Sequence, residues 1–300
     1  MTAQIIDPSG LAEVPLAPPG RAGGLLDVFR RHYLLRLLVR KELAARYQGS
    51  FLGLLWSYVQ PAVRFAMYYF VIGLVLNLHA NVDNFGIHIF SAMVFVHYFT
   101  ETFSSGTRSI VKNKALVRKM ALPREMFPVA SMLVSAYHTL PQGLILIVGC
   151  LISGWHPDWE GVGAGVLGFA IFGVFGMALA LLFSAANVFF RDFQNIVQTL
   201  LIFTHWAVPM IYPFSKLSES SLGGTWVEQV YLANPIAPAT LLVQRCFWAY
   251  STQDPAKAIA TDFPDHLFTR GLIVLAVCVV ILGFAQWAFS KLERKFAERL

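Results

Sequence analysis

The residues with the clearest potential for chemistry lie in the stretch 106–125, between two long apolar runs. The stretch carries six basic side chains and one acid, Glu125, and Pro123 ends any helix that begins before it. A short basic segment between two hydrophobic segments belongs in water on the cytoplasmic side of a membrane. We therefore predict a short basic helix that docks a partner; a loop that only fixes the topology is the alternative. The basic residues are Arg108, Lys112, Lys114, Arg118, Lys119 and Arg124.

A second basic segment precedes the first apolar run. Residues 25–49 contain six arginines and lysines and no proline, which favours a helix. The basic residues do not gather on one helical face, so the amphipathicity is imperfect. We predict a helix lying in the membrane interface, where its cations meet anionic headgroups or a docked partner; a soluble helix is the alternative.

One predicted membrane helix carries a polar stripe. At 100° per residue, Gln194, Gln198 and His205 fall within about 40° of one another. Such a stripe faces either the interior of a bundle, where it can line a translocation path, or hydrogen-bonding groups on neighbouring helices.

Aromatic side chains also recur at helical spacing in two places. Aromatic faces can stack on the apolar C–H surface of sugar rings, or they can pack against lipid and other helices. Both interpretations are open from the sequence. The two sets are Tyr58, Phe65 and Tyr69 in the first apolar run, and Phe95, Phe99 and Phe103 in the second.

Signatures of catalysis and nucleotide binding are missing from the sequence. It contains no G-x-x-x-x-G-K-[ST], no H-E-x-x-H and no G-x-S-x-G, and its histidines lack metal-ligand spacing. Glu101 is the main acid within an apolar run, which is too little for a proton relay. The chain is therefore predicted to be a transport subunit and not an enzyme, without a metal or cofactor of its own, and to need an outside energy source.

Composition identifies the class of protein. The chain is 56% hydrophobic and only 13% charged, whereas soluble domains carry about 25% charged residues. Its mean hydropathy is +0.58. Although the net charge is +6, the basic residues cluster at the ends of apolar runs, which argues against nucleic-acid binding. These features predict an all-α integral membrane protein.

The apolar runs predict six membrane-spanning helices. A disordered tail over 1–24 and an interface-helix segment over 25–50 precede the transmembrane domain, 51–300. Two shorter apolar patches, 226–233 and 237–250, are predicted to be re-entrant or interfacial helices on the outer side. Gly161 and Gly165 are expected to allow close packing within the chain. The predicted spans are 62–78, 87–105, 126–152, 162–190, 194–212 and 269–289.

The positive charges set the orientation. Of 23 lysines and arginines, 18 fall in segments predicted to be cytoplasmic, three fall in outer segments, and Arg64 and Arg270 lie at span ends. This asymmetry predicts a multi-pass protein of the cytoplasmic (inner) membrane with both termini in the cytoplasm.

Several motifs, in order along the chain from about residue 25 to the C-terminus, resemble the permease subunits of ABC-2 type (type V) exporters of lipid-linked polysaccharide. This group serves O-antigen, a part of lipopolysaccharide, and teichoic acid. No single motif is decisive, but the ordered set is specific. The motifs are RYQGSFLGLLWSYVQP (46–61), KNKALVRKMALPREMFP (112–128), FFRDFQNIVQ (189–198), VPMIYP (208–213), NP (234–235) followed by Arg245, and KFAERL (295–300).

The resemblance implies partners and roles. Two copies of the permease would pair, each above an ATP-binding subunit that holds ATP and magnesium. The outer helices would act as gate helices. Arg40, Lys41 and Arg46 would contact the diphosphate of the lipid carrier, since guanidinium groups bind phosphate oxygens well; binding of ordinary lipid is the alternative. The basic stretch would be a coupling helix that meets the ATPase through Asn113, Lys114, Leu116, Val117, Arg118 and Lys119.

Other functions are compatible with the same sequence. An ABC-2 exporter of teichoic acid, capsule, a small lipid or a drug would share most of these features. A channel or scaffold subunit that needs no nucleotide is a further alternative. Dependence on a partner ATPase separates the channel from the exporters, and accumulation of polymer after deletion separates the exporters from one another.

Overall fold

The computed structural model describes residues 24–77, 80, 82–120 and 122–299. The tail predicted over 1–24 lies outside this part, except for Gly24. The described ranges contain α-helices, short 3₁₀-helices and one π-helix, and no strand. The α-helices are α1 (Gly24–Arg30), α2 (His32–Tyr47), α3 (Trp56–Tyr68), α4 (Phe85–Lys112), α5 (Lys114–Lys119), α6 (Met126–Ile152), α7 (Trp159–Phe189), α8 (Phe193–Trp206), α9 (Ser215–Ser218), α10 (Trp226–Ala233), α11 (Ile236–Phe247), α12 (Pro255–Asp262), α13 (Leu267–Leu292) and α14 (Phe296–Arg299).

Helix α7 is the centre of the packing. It lies against α4, α11 and α13, and α4 packs in turn against α6. One apolar core joins α4, α7 and α11, with Phe99, Ile171 and Leu242 fully or almost fully buried. A second core lies at the other end of the bundle, around Met126 and Phe289, and includes side chains of α1, α2 and α5. The segments flanking the spans are therefore fixed to the bundle by their own apolar faces.

Two glycines on α7 allow this close packing. A Cβ at Gly165 would lie 2.7 Å from Cys246 Sγ, and one at Gly161 would lie 2.4 Å from the ring of Tyr250. Both distances are shorter than van der Waals contact, so neither position accepts a larger residue without movement. The predicted packing of Gly161 and Gly165 within the chain is confirmed.

The N-terminal helix predicted over 25–49 is two helices. The backbone leaves the helical region at Arg31 (φ −94°, ψ 40°), although the hydrogen bonds from Arg31 N to Asp27 O and from Leu35 N to Arg31 O continue across the break. The bend lets α1 pack against α13 while α2 packs against α6. Leu35 and Leu38 are buried on the packed face of α2.

The helix that contains the second predicted span, 87–105, is longer in the structure. Helix α4 continues through the first part of the basic stretch to Lys112, and only α5 forms a separate short helix. No proline interrupts this region, and Gly106 packs so closely on α7 that a Cβ there would lie 2.5 Å from the Cβ of Ala180. Packing against α7 therefore stabilises α4 beyond its predicted end at Ser105, over about 10 Å more.

Two helix ends that lie near prolines differ from the prediction. The first span is predicted to begin at Ala62, directly after Pro61, but in the structure Pro61 lies within α3. Its missing N–H removes one hydrogen bond close to the start of that helix. The helix continues as a π-helix over Tyr69–Val75. The fifth predicted span, 194–212, ends at Trp206 because Pro209 disfavours helical backbone in the residue before it.

Four helices in the described part are long and apolar enough to cross a membrane: Trp56–Val75, Met126–Ile152, Trp159–Phe189 and Leu267–Lys295. Helix α4 has 28 residues, about 42 Å, and is more polar. Helix α8 has 14 residues, about 21 Å, less than the roughly 30 Å hydrocarbon core. The protein is thus a multi-pass helical membrane protein, and the count of six spans stays a prediction.

Two helices occupy the two short apolar patches that are predicted to lie on the outer side. Helix α10 has the predicted bounds, and α11 covers most of the second patch before a 3₁₀ turn at Ala249–Ser251. Helix α11 is almost entirely buried against α4, α7 and α13. Helix α12, which follows, was not predicted; it begins at Pro255, where the Asp254 side chain accepts a hydrogen bond from Lys257 N.

Candidate functional site

Helix α5 presents the predicted coupling residues on two faces. Lys114, Arg118 and Lys119 are exposed, whereas Val117 is buried in the second core and Leu116 packs against that core. Asn113, at the junction of α4 and α5, is also buried. The helix therefore has an apolar inner face and a strongly basic outer face, the arrangement expected of a docking element.

Helix α2 holds the junction in place. Lys41 Nζ donates a hydrogen bond of 2.6 Å to Asn113 Oδ1, and Asn113 Nδ2 donates to Glu42 Oε1 at 3.1 Å. Lys112 Nζ forms an ion pair with the other oxygen of Glu42. We call this group, formed by Lys41, Glu42, Lys112 and Asn113, the junction clamp. It ties the C-terminal end of α4 and the N-cap of α5 to α2.

The electrostatics of the junction clamp centre on Glu42. Burial opposes the charge of the carboxylate, but hydrogen bonds from Lys112 and Asn113 and the charges of Lys112 and Lys41 outweigh it. Together they lower the pKa of Glu42 below the ordinary value of 4.5. The carboxylate is therefore ionised at neutral pH and holds two cations and one amide.

A second link joins α2 to α4. Arg46 Nη1 lies 2.7 Å from Glu101 Oε1. The pair is partly open to solvent, with 41% of the Arg46 side chain and 23% of the Glu101 side chain exposed. A guanidinium has five N–H donors, so Arg46 keeps donors for a further acceptor.

These contacts border a cleft of about 700 Å³ between α2, α4 and α6. Three cations and two carboxylates line it, which leaves a positive balance suited to an anionic group. Serines from α4 and α6 add hydroxyl groups. The charged lining residues are Arg46, Arg108, Lys112, Glu42 and Glu101, and Gln194 of α8 also contributes.

An adjoining cleft of about 400 Å³ shares Glu101 with the first and lies between α3, α4 and α8. In this cleft α4 presents His97, Glu101 and Ser104, spaced at three and four residues. Arg108, one turn further along α4, lines the first cleft. Ser104 Oγ accepts hydrogen bonds from Arg108 (3.0 Å) and from Gln198 Nε2 (2.7 Å). Polar groups thus run continuously along α4.

The polar stripe of α8 lies at these clefts. Gln194 lines the first cleft, and Gln198 and His205 line the second. His205 Nδ1 is 2.9 Å from Leu201 O within its own helix. The three residues are thus brought together along one side of α8, facing the polar face of α4.

The aromatic candidates divide into two environments. Phe95, Phe99 and Phe103 pack on α7. Their rings lie 6.0 Å from Phe169, 5.6 Å from Phe175 and 5.0 Å from Phe183, respectively. Within this chain they serve as core. The remaining candidates, Tyr58, Phe65 and Tyr69, are exposed or half-buried on the α3 segment, where Phe65 lies 5.8 Å from Tyr69.

The predicted diphosphate contacts do not form one group. Arg46 lines the large cleft, Lys41 bonds to Asn113, and Arg40 is exposed elsewhere on α2. Sequence reasoning missed Glu42 and Ser104 as site residues. The spacing of His97, Glu101 and Ser104 on α4 was the available signal for the polar face.

The two clefts provide hydrogen-bonding groups and charged side chains. The described residues contain no group of three His, Cys, Asp or Glu side chains that could hold a metal ion. The arrangement is suited to binding an anionic or hydroxyl-rich molecule beside a basic docking helix.

Comparison with known proteins agrees with this geometry. The family model described as "ABC-2 type transporter" matches residues 33–247. The O-antigen export system permease protein RfbA of Myxococcus xanthus is 28% identical over 276 residues, which cover 91% of this chain and 98% of that protein. A protein of the same name from Klebsiella pneumoniae is 25% identical over 270 residues, covering 89% of this chain and 95% of its own length. Since the family match covers most of the chain, this protein belongs to the ABC-2 type transporter family.

Proposed function

We propose that this chain is the permease subunit of an ATP-driven exporter that moves O-antigen, or a related lipid-linked cell-surface polysaccharide, across the cytoplasmic membrane. Family membership and the two relatives named for O-antigen export support the proposal. The main structural support is the junction clamp. It joins the start of the basic helix α5 to α2 and α4, which border the polar clefts.

The energy comes from a partner. An ABC ATP-binding subunit docks on the exposed cations Lys114, Arg118 and Lys119 of α5, and ATP with magnesium binds in that subunit. When the ATPase pair closes, α5 moves, and the junction clamp passes the movement to α2 and α4. Asn113 and Val117 hold α5 to the bundle, and Leu116 supports them.

The working unit contains two permease chains and two ATPase chains in the inner membrane, with both permease termini in the cytoplasm. The translocation path follows the polar face of α4 and the stripe of α8, with Tyr58, Phe65 and Tyr69 at its edge. Phe95 and Phe99 support this wall from the core. Helices α10 and α11 form the outer gate.

The substrate presents a diphosphate to the large cleft. Arg46, with donors left over from its pair with Glu101, makes the main contact, and Arg40 and Lys41 attract the anion to the same surface. The polymer then follows the hydrogen-bonding groups of the polar clefts.

A deletion strain complemented with plasmid-borne variants tests this function. Loss of the chain should leave lipid-linked polysaccharide inside the cell and remove it from the surface, and the wild-type chain should restore export. Affinity purification of the restored complex should recover an ABC ATPase. Normal surface polysaccharide in the deletion strain would refute the substrate assignment, and full transport without any bound ATPase would favour a channel.

A further inference from the structure

A third pocket, of about 260 Å³, lies between α2, α3, α4 and α6, and we call it the α6 pocket. It adjoins both polar clefts, because Arg46 lines this pocket and the large cleft, and His97 lines this pocket and the cleft beside α8. The other side chains on its wall that can form hydrogen bonds are Tyr47, Trp56, Ser57, Gln60, His138 and Gln142.

Two of these side chains bring polar groups to the middle of a membrane-spanning helix. Helix α6 begins at Met126, so His138 and Gln142 lie about 18 Å and 24 Å along its axis. At that depth lipid offers no hydrogen bonds, and a buried polar group without a partner is costly. Polar side chains in such a position are typical of a transport path or a binding site.

Both side chains keep one atom free. His138 is 5% exposed and Gln142 is 2% exposed, and His138 Nε2 and Gln142 Oε1 have no hydrogen-bond partner within the described part of the chain. The two residues are four positions apart, so they lie on the same face of α6, and both line the pocket. One ligand can therefore reach both atoms.

The opposite end of each side chain is already held. His138 Nδ1 lies 2.8 Å from Tyr47 OH and 3.1 Å from Ser57 Oγ, which fixes the imidazole ring. Gln142 Nε2 donates a hydrogen bond of 3.1 Å to His138 O, which fixes the amide group. The free atoms are thus oriented before a ligand arrives, and a ligand that binds them loses little affinity to ordering of the site.

The chemistry of the free atoms selects the ligand. Gln142 Oε1 only accepts hydrogen bonds, so it needs a donor and disfavours the oxygens of a phosphate or carboxylate. His138 Nε2 donates or accepts according to the tautomer of the ring. A hydroxyl group does both, so two neighbouring hydroxyls satisfy the two atoms in either tautomer. A ligand without hydroxyls leaves both atoms unpaired, and sites of this kind discriminate strongly against such ligands.

We propose that the α6 pocket binds, through its hydroxyl groups, the sugar ring that adjoins the diphosphate of the exported lipid. Arg46 lines both the pocket and the large cleft, so a diphosphate at Arg46 places the next group of the substrate beside His138 and Gln142. Trp56 adds aromatic surface on which the apolar C–H face of a sugar ring can pack. The inference rests on the proposed function and adds to it a site that recognises neutral hydroxyl groups.

Binding of synthetic lipid diphosphates tests the sugar contact. Each probe carries a farnesyl chain on one phosphate, and its other phosphate is esterified with glucose, with N-acetylglucosamine or with cyclohexanol. The three esters have the same charge, and the cyclohexyl ring resembles a sugar ring in size but has no hydroxyl group. Equilibrium binding is measured on the full chain purified with its bound subunits. We expect the better sugar ester to bind at least tenfold more tightly than the cyclohexyl ester, which corresponds to about 1.4 kcal/mol.

Two variants of α6 separate a sugar contact from a general effect on the fold. Gln142→Leu removes the free acceptor and should lower the preference for the sugar ester by about fivefold or more, while the cyclohexyl ester binds as before because Arg46 is unchanged. Thr139→Val is the control. The Thr139 hydroxyl bonds to Ser135 O within α6, and Thr139 lines neither this pocket nor the two clefts, so its sugar preference should equal that of the wild type.

The outcomes distinguish this inference from the proposed function. Equal binding of all three esters by the wild type overturns the sugar site whether or not the variants fold, and it is the result expected if only water occupies the pocket. The diphosphate contact of the proposed function would then stand. Absence of binding by every ester overturns the sugar site and the diphosphate contact together. An unchanged sugar preference in a folded Gln142→Leu protein also overturns the sugar site.

Discussion

Arg46 on α2 and Glu101 on α4 are 55 positions apart in sequence and form an ion pair with an Nη1–Oε1 distance of 2.7 Å. The pair joins the N-terminal basic helix to the middle of a helix that borders the polar clefts. The junction clamp makes a second connection between the same helices, nearer to α5. The two links hold α2 to α4 at two points along the helix pair.

Loss of the Arg46–Glu101 pair should destabilise the protein. Glu101→Gln leaves Arg46 without its charged partner, and because the pair is partly exposed we expect a loss of about 1 kcal/mol. In detergent this corresponds to a decrease in apparent Tm of roughly 2–4 °C. The charge-exchanged variant, Arg46→Glu with Glu101→Arg, should recover part of the loss. A Glu101→Gln protein with an unchanged Tm would contradict this role.

The junction clamp should make stability depend on pH. The folded state lowers the pKa of Glu42, so the clamp is fully present above the ordinary value of 4.5 and is lost as the pH falls through the lower folded value. Thermal unfolding measured across acidic pH should show this loss. Lys112→Gln keeps the carboxyl but removes one cation, so its stability should decrease at a higher pH than that of the wild type. Identical pH profiles would contradict the clamp.

Gly165 should tolerate no side chain. A Cβ there would lie 2.7 Å from Cys246 Sγ and 2.9 Å from its Cβ, so Gly165→Ala forces α7 and α11 apart. We expect a loss of about 1–3 kcal/mol in the free energy of unfolding. Gly283→Ala is the matched control, since a Cβ at Gly283 meets nothing within 4 Å and alanine favours helix by up to about 1 kcal/mol. Equal effects of the two substitutions would show that packing at Gly165 is loose.

The sequence allowed good prediction of elements bounded by local signals. Helix α6 has the predicted bounds, 126–152, because Pro123 and the polar residues before it end the preceding segment and Ser153 and Gly154 follow it. Helix α10 also matches, over 226–233. In such cases apolar length and flanking breakers decide the ends of the helix.

Long-range packing decided what could not be predicted. The continuation of α4 to Lys112 depends on close contact of Gly106 with Ala180, 74 positions away. The bend at Arg31 depends on α1 and α2 packing against different helices. The hydrogen bond from Lys41 to Asn113 was not predicted either. Lys41 was predicted to contact the diphosphate, and Asn113 was predicted to contact the ATPase. The spacing of residues along one sequence does not indicate which distant residues contact each other.

The most direct test of the account is ATP-dependent export by the purified complex in proteoliposomes, measured together with its ATPase activity. Arg118→Glu with Lys119→Glu reverses two exposed charges on α5, and Lys216→Glu with Lys257→Glu reverses two exposed charges predicted to lie on the outer side. We predict that the first pair inserts in the membrane normally but loses at least tenfold in export per ATP hydrolysed, while the second pair exports like the wild type. Normal export by the first pair would contradict the account.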